Sequence, residues 1–440
     1  MQRARACAGM GIGLMLGAAS TTWAGQLDLS LENRLGYESN VFRAERDREK
    51  DGTHEIIPRL GVRDDTENLG YSFDYQPSYR TFFGTSGISG LDHIARGRTT
   101  WTISPVDRLE LTGAYVNSRQ FIFGNRDLGA GVTTFDVNDR ERIRQSDANL
   151  AYRRALTQRL SVRLDAFLDD FDASGTDDQS QNDSLAYTGR IATQYVLDPL
   201  TEIGVTVSGR RRENRAVGLF RVSSVTDVWD VMGSVSRQIT PTIGVSVQAG
   251  PSFINQEQLA RGAYTRDPSI PGSQCNENTP LPPDPLSQCI HFPKDESNDV
   301  TLFAVVSANK EWKQSEAEVS YVRSEARSGT ANSSSSIADR LQLQLTHRFH
   351  DRFFVVGTVG WDHYDQLFRQ QDDDGKIVLD TYRMSATTEY SLNRNIALTA
   401  QYSYFRQENE VKGGVDSVNA KIDIHVGYVG VRFNLEPLSY

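Results

Sequence analysis

Apolar and polar residues alternate strictly over segments of about ten, from one end of the chain to the other, and this restricts the possible folds more than any other feature. Over residues 69–80, Tyr71, Phe73, Tyr75, Pro77 and Tyr79 fall on one face of an extended chain. Ser72, Asp74, Gln76, Ser78 and Arg80 fall on the other. Leu341, Leu343 and Leu345 alternate in the same way with Arg340, Gln342, Gln344, Thr346 and Arg348. Ile396, Leu398, Ala400, Tyr402 and Tyr404 alternate with Ala397, Thr399, Gln401 and Ser403. A helix repeats every 3.6 residues and cannot separate the two sets, whereas a strand repeats every two.

A soluble β-sandwich also alternates. Here, however, the apolar face carries Trp101, Tyr115, Tyr187, Tyr195, Trp229, Trp361, Tyr382 and Tyr390 near the strand ends. Aromatic girdles at the two interfaces of a bilayer account for that placement.

Connection lengths alternate as well. Short turns fall at Asp64-Asp65-Thr66-Glu67, Pro105-Val106-Asp107, Thr157-Gln158, Asp198-Pro199-Leu200, Thr240-Pro241, Lys313-Gln314, His350-Asp351 and Asn393-Arg394-Asn395. Longer polar segments lie between them near 38–53, 84–90, 120–141, 172–183, 212–224, 256–298, 328–336, 365–378 and 407–416. Eight turns and nine loops join about 18 strands, with short turns expected on the periplasmic side and long loops outside the cell. The expected fold is therefore all-β, a transmembrane antiparallel up-and-down β-barrel of about 18 strands, with both termini periplasmic. Hairpin spacing near 40 residues also occurs in propellers and solenoids. Only the length recurs here, with no side-chain signature at that period.

The amino end fits an exported chain. Arg3 and Arg5 precede a small, apolar run over residues 8–19, followed by Ser20-Thr21-Thr22-Trp23-Ala24-Gly25. This pattern predicts a signal peptide over residues 1–24, cut after Ala24, and a barrel domain over 25–440. The apolar run is too short for a membrane-anchoring helix. A mean hydropathy of -0.48 is what a chain with one polar face per strand should show. The net charge of -10 argues against a nucleic-acid binder. Cys275 and Cys289 bracket a Pro-rich stretch, and in an oxidising compartment they are expected to form a disulfide. Their spacing is not that of a metal site, and no metal or other cofactor is expected.

If the apolar face meets lipid, the opposite face is the inner wall. It carries Arg34, Arg59, Arg63, Arg80, Arg96, Arg98, Arg163, Arg190, Arg210, Arg340, Arg348 and Arg383. In the same phase are Asp28, Glu32, Glu55, Asp74, Glu110, Asp165, Glu202, Asp230, Glu316, Glu318, Glu389 and Asp423. Cross-strand ion pairing accounts for most of them. Arg59 with Arg63, and Arg96 with Arg98, are the local cationic excesses that could attract anionic solute or polymer. The seven histidines are scattered over separate strands and loops, so no catalytic constellation is expected. Asp372-Asp373-Asp374-Gly375 lacks the ligand spacing and closing Glu of an EF-hand and is expected to be a solvated turn.

The segment Leu35-Gly36-Tyr37-Glu38-Ser39-Asn40-Val41-Phe42-Arg43, followed by hairpins rich in Asp, Arg and Tyr, resembles the opening of the putative beta-barrel porin 2 family. That resemblance implies an outer-membrane protein and a conduit for solutes or secreted exopolysaccharide. The implied partners are outer-membrane lipid and lipopolysaccharide, the barrel assembly machinery and polysaccharide export components. The alternative of a different class is a non-conducting adhesion or scaffold barrel closed by its external loops. At the carboxyl end, Val429-Gly430-Val431-Arg432-Phe433 reads as the closing strand, with Pro437 ending it. Ile422, Ile424, Val426 and Tyr428 are out of phase with it, so a bulge is expected near Gly427 or Gly430.

Overall fold

Short polar turns and two-faced strands of ten or more residues leave one way to satisfy every backbone group in a bilayer, a sheet closed on itself. The computed structural model describes residues 25–41, 48–85, 89–118, 142–174, 181–217, 224–258, 261–264, 289–292, 295–326, 336–366, 376–412, 419–435 and 438–439. Residues 1–24, Cys275 and the 372–375 segment lie outside the described residues, and so does the side chain of Cys289.

The strands are β1 (Gln26–Glu38), β2 (Asp51–Asp65), β3 (Leu69–Phe82), β4 (Gly90–Ser104), β5 (Asp107–Ser118), β6 (Arg142–Ala155) and β7 (Leu160–Ser174). They continue with β8 (Gln181–Asp198), β9 (Thr201–Val217), β10 (Ser224–Thr240), β11 (Ile243–Gln258), β12 (Arg261–Tyr264), β13 (Cys289–Phe292) and β14 (Asp295–Glu311). The last are β15 (Ser315–Ala326), β16 (Ser336–His350), β17 (Phe353–Gln366), β18 (Lys376–Ser391), β19 (Ile396–Lys412), β20 (Asn419–Asn434) and β21 (Leu438–Ser439). β12 and β13 pair only with each other, as a small ladder in the connection from β11 to β14. Each of the other long strands pairs antiparallel with its chain neighbour, and β20 returns to β1 from Ser30↔Asn434 to Glu38↔Val426. The result is a closed antiparallel barrel of 18 strands. The eight short turns gather at one end and the nine longer connections at the other, and an even strand number brings β1 and β20 to the turn end.

Side chains of the turn residues explain why the chain reverses there. Asn393 Oδ1 accepts the N–H groups of Asn395 and Ile396, Asp198 Oδ1 accepts that of Leu200, and Thr157 Oγ1 accepts those of Arg159 and Leu160. The ladder slips by one residue beside four of these turns, between Thr102 and Ser104, Val196 and Asp198, Gln238 and Thr240, and Arg348 and His350. Inside the wall, the β2–β3 ladder is interrupted between Ile56↔Tyr79 and Leu60↔Tyr75. That register sets Pro58 opposite Pro77, two residues with no N–H to donate.

Three expectations for the last strands and the inner wall are corrected. No bulge interrupts β20, whose register with β19 runs without a shift from Ile396↔Phe433 to Glu410↔Asn419. Ile422, Ile424, Val426 and Tyr428 therefore point inward, where they pack with Phe405 in a buried cluster instead of facing lipid. In that unbroken phase Asp423 shares the outer face with Val429, Val431 and Phe433, and is not part of the inner wall. It accepts the Tyr404 hydroxyl at 2.9 Å and pairs with Arg48 at 3.4 Å. Pro437 does not end the pairing, because Leu438 and Ser439 resume it against Leu27 and Gln26. β1 starts four residues before its contact with Asn434, leaving an edge to be filled.

Candidate functional site: the inner wall

The pairing registers set Arg59, Arg63, Arg80, Arg96, Arg98, Arg163, Arg190, Arg340, Arg348, Arg383, Asp74, Asp165, Asp230 and Glu389 on one continuous face of the sheet. The large apolar residues Leu31, Leu111, Ile191, Val235, Leu343 and Phe433 occupy the other face. Contacts between strands that are not neighbours identify the charged face as the inner one. Arg210 and Arg212 on β9 meet Glu325 on β15, with three strands of wall between them.

That inner wall changes character along the barrel axis. Near the turns most arginine side chains are wet, although a carboxylate they pair with can be buried, as Asp165 is. Arg59 lies 2.5 Å from Asp74, Arg63 lies 3.5 Å from Asp28, and Arg98 lies 3.0 Å from Glu110, with the three arginine side chains 55–60% exposed. Arg163 and Arg190 share Asp165 at 2.8 and 3.0 Å, and Arg432 pairs with Glu389. Arg348 is exposed.

Toward the loops the same residue types are buried. Glu55 accepts from Arg34 at 2.7 Å, from Arg80 at 3.1 Å and from the Ser78 hydroxyl. The Arg34 guanidinium lies 4.3 Å above the Tyr428 ring, and Arg80 stands 5.2 Å from it on the same cluster. A Cβ at Gly36 would collide with that ring, which is why glycine stands there. A second buried carboxylate, Asp362, pairs with Arg383 at 2.5 Å and Arg340 at 3.6 Å, beside the apolar cluster of Ala338, Tyr364 and Leu379. Two inward strands show the gradient residue by residue. Along β3, Ser72 is exposed, Asp74 and Gln76 are half-buried, and Ser78, Arg80 and Phe82 are buried. Along β2, Arg63 and Arg59 are exposed, and Ile57, Glu55 and Thr53 are buried.

Sequence reading missed the apolar half of this layer. Phe405, Ile422, Ile424, Val426, Val228 and Ile254 alternate correctly but on the inward phase. Only the register tells them from lipid-facing residues. The structure also brings His347 against Ser315 on the outer face, with Nδ1 and Oγ 2.6 Å apart. Among the described residues no carboxylate pairs with that ring. His54, His93, His363 and His425 also face outward, hydrogen-bonded to Asn33, Tyr75, Asp380 and Tyr402.

Residues 304–434 match the model of the family described as putative beta-barrel porin 2. The match runs from the turn-side half of β14 to the end of β20 and so takes in the corrected last strand. The Leu35–Arg43 segment that resembles the family's opening lies outside it. The chain is a porin-like outer-membrane β-barrel. A comparison with curated proteins gives no match. Among solved structures the barrel is similar to the ferric-catecholate import receptor Fiu of E. coli K12 in its open form, at 8% identity and a TM-score of 0.43, covering 93% of this chain and 82% of that one. It is also similar to OccK2 (OpdF) of Pseudomonas aeruginosa, at 9% identity, a TM-score of 0.41, and 94% and 100% coverage. OccAB4 of Acinetobacter baumannii is similar at 10% identity, a TM-score of 0.41, and 94% and 99% coverage.

Proposed function

We propose that this barrel is a conduit of the outer membrane for solutes or secreted exopolysaccharide, with its turn end and both termini in the periplasm and its long connections outside the cell. The observation that carries the reading is the wet, charged half of the inner wall. A barrel that served only as a scaffold would have no reason to keep the Arg59, Arg63 and Arg98 side chains more than half exposed inside it. Arginines and carboxylates there alternate closely enough to hold water and to solvate a hydrophilic passenger of either charge. Outer-membrane lipid, lipopolysaccharide and the barrel assembly machinery are the partners this reading requires, and export components would join them if the passenger is a polysaccharide. The inner wall is assigned no catalytic role.

A second reading, a non-conducting adhesion or scaffold barrel, draws on the buried loop-side layer built around Glu55, Asp362, Phe405 and Ile422. Conductance of the purified protein in planar bilayers separates the two. The conduit reading expects discrete open steps, including after Ile422→Asn and Phe405→Ser loosen the buried layer. A barrel that stays electrically silent in both forms, while remaining folded, is a scaffold.

A further inference from the structure

The end of the β15–β16 hairpin breaks the alternation that governs the rest of the wall. Tyr321, Arg323, Asp339 and Leu341 lie on the outer face, and Tyr321 and Arg323 both reach Asp339 there. Two residues further on, Glu325 and Ile337 share that phase and should also face outward. Both are instead buried, at 3% and 5% exposure. The reason is in the ladders. β15 pairs with β14 only up to Ala304↔Arg323, whereas β15 and β16 stay paired to Ala326↔Ser336. Past Arg323 the hairpin leaves the wall and rolls into the lumen.

It lands on a defined patch. Glu325 accepts from Arg212 Nη1 at 2.7 Å through one carboxylate oxygen and from Arg210 through the other, and Ile337 packs on Val228 and Ile254. The register sets Arg212, Thr226 and Gln256 side by side on β9, β10 and β11, with Arg210, Val228 and Ile254 in the next row. Gln256 is 1% exposed, and neither its amide nitrogen nor its amide oxygen has a hydrogen-bond partner among the described residues. Leaving a buried amide unsatisfied is costly, so this one has room for a partner such as a water or a ligand group. Two guanidiniums that bind both oxygens of one carboxylate, beside a hydroxyl and a free amide, have the donor set of a site for an acidic, hydroxyl-rich molecule.

We propose that Arg210, Arg212, Thr226 and Gln256 form a binding subsite for a carboxylate-bearing saccharide, occupied in this state by the Glu325 carboxylate as an internal surrogate. The passenger's carboxylate replaces that of Glu325 on the two arginines, its hydroxyls satisfy Gln256 beside Thr226, and the hairpin end is displaced from the lumen. This deepens the conduit reading by naming the class of passenger.

The test is calorimetric binding of hexagalacturonate to the detergent-solubilised full-length barrel, with neutral maltohexaose as the control. Folding of each variant is checked by heat-modifiable gel mobility. Glu325→Gln removes the surrogate charge and should tighten hexagalacturonate binding about tenfold, because the competent state is no longer masked. Ile337→Asn unseats the hairpin without touching the arginines and should shift binding in the same direction. Arg210→Gln with Arg212→Gln, added to Glu325→Gln, should abolish binding, and maltohexaose should bind none of them. Equal binding, or equal absence of binding, by wild type and the folded Glu325→Gln and Ile337→Asn variants overturns the subsite. Tightened binding by a barrel that never conducts would keep the subsite and sink the conduit.

Discussion

The turn-side and loop-side halves of the lumen are built from the same residue types on the same strands, yet they hold those residues in different solvents. On β2, Arg59 and Glu55 both face inward, on either side of Ile57. Arg59 is more than half exposed beside Asp74, whereas Glu55 is buried between Arg34 and Arg80. Alternation selects the face of the sheet a side chain occupies. Its depth along the barrel then sets what the charge is worth, since a paired ion in water gains little and a buried ion without its partner costs a great deal.

The contrast is broken most sharply at Glu55. Replacing it with Ala takes the nearest carboxylate from the buried Arg80 and the half-buried Arg34, and should cost about 3–5 kcal/mol in urea unfolding followed by gel mobility. A loss no larger than that of a turn-side pair would erase the distinction between the halves. Next comes the apolar part of the loop-side layer, where Ile424→Ala should cost about 2–5 kcal/mol although the position lines a nominal pore. A near-neutral result would mean that the layer is hydrated. The outer face supplies a reference of comparable size. Leu343→Arg should cost about 2–4 kcal/mol in refolding titrations, and its inward neighbour Gln344→Arg should be tolerated. Arg59→Ala is the smallest expected change, below about 1 kcal/mol, because its partner is reachable by water. Its readout is ion selectivity in bilayers, which should move toward cations with folding unaffected.

The strand count, the eight turns, the nine loops and the inward phase of Arg59, Arg80, Arg190 and Arg383 could all be read in the sequence, because period and turn chemistry are local properties. What could not be read depends on register and on contacts across the barrel. Ile422, Ile424, Val426 and Tyr428 look lipid-facing until pairing with β19 fixes them inside, and Asp423 looks lumenal for the same reason. Glu325 and Ile337 obey alternation in sequence and violate it in space. The strand carrying them leaves β14, and no local pattern encodes that departure.

Thiol accessibility along a single strand tests the central claim most directly. Single cysteines at residues 71 to 80 of β3, in a background of Cys275→Ser and Cys289→Ser, would be challenged with a membrane-impermeant thiol reagent added from the turn side of oriented proteoliposomes. The two-solvent account expects fast labelling at Ser72 and Asp74, a decline through Gln76, protection at Ser78 and Arg80, and no labelling at Tyr71, Phe73 or Tyr75. Uniform labelling along the even positions would contradict the dry loop-side half, and labelling at the odd positions would contradict the barrel itself.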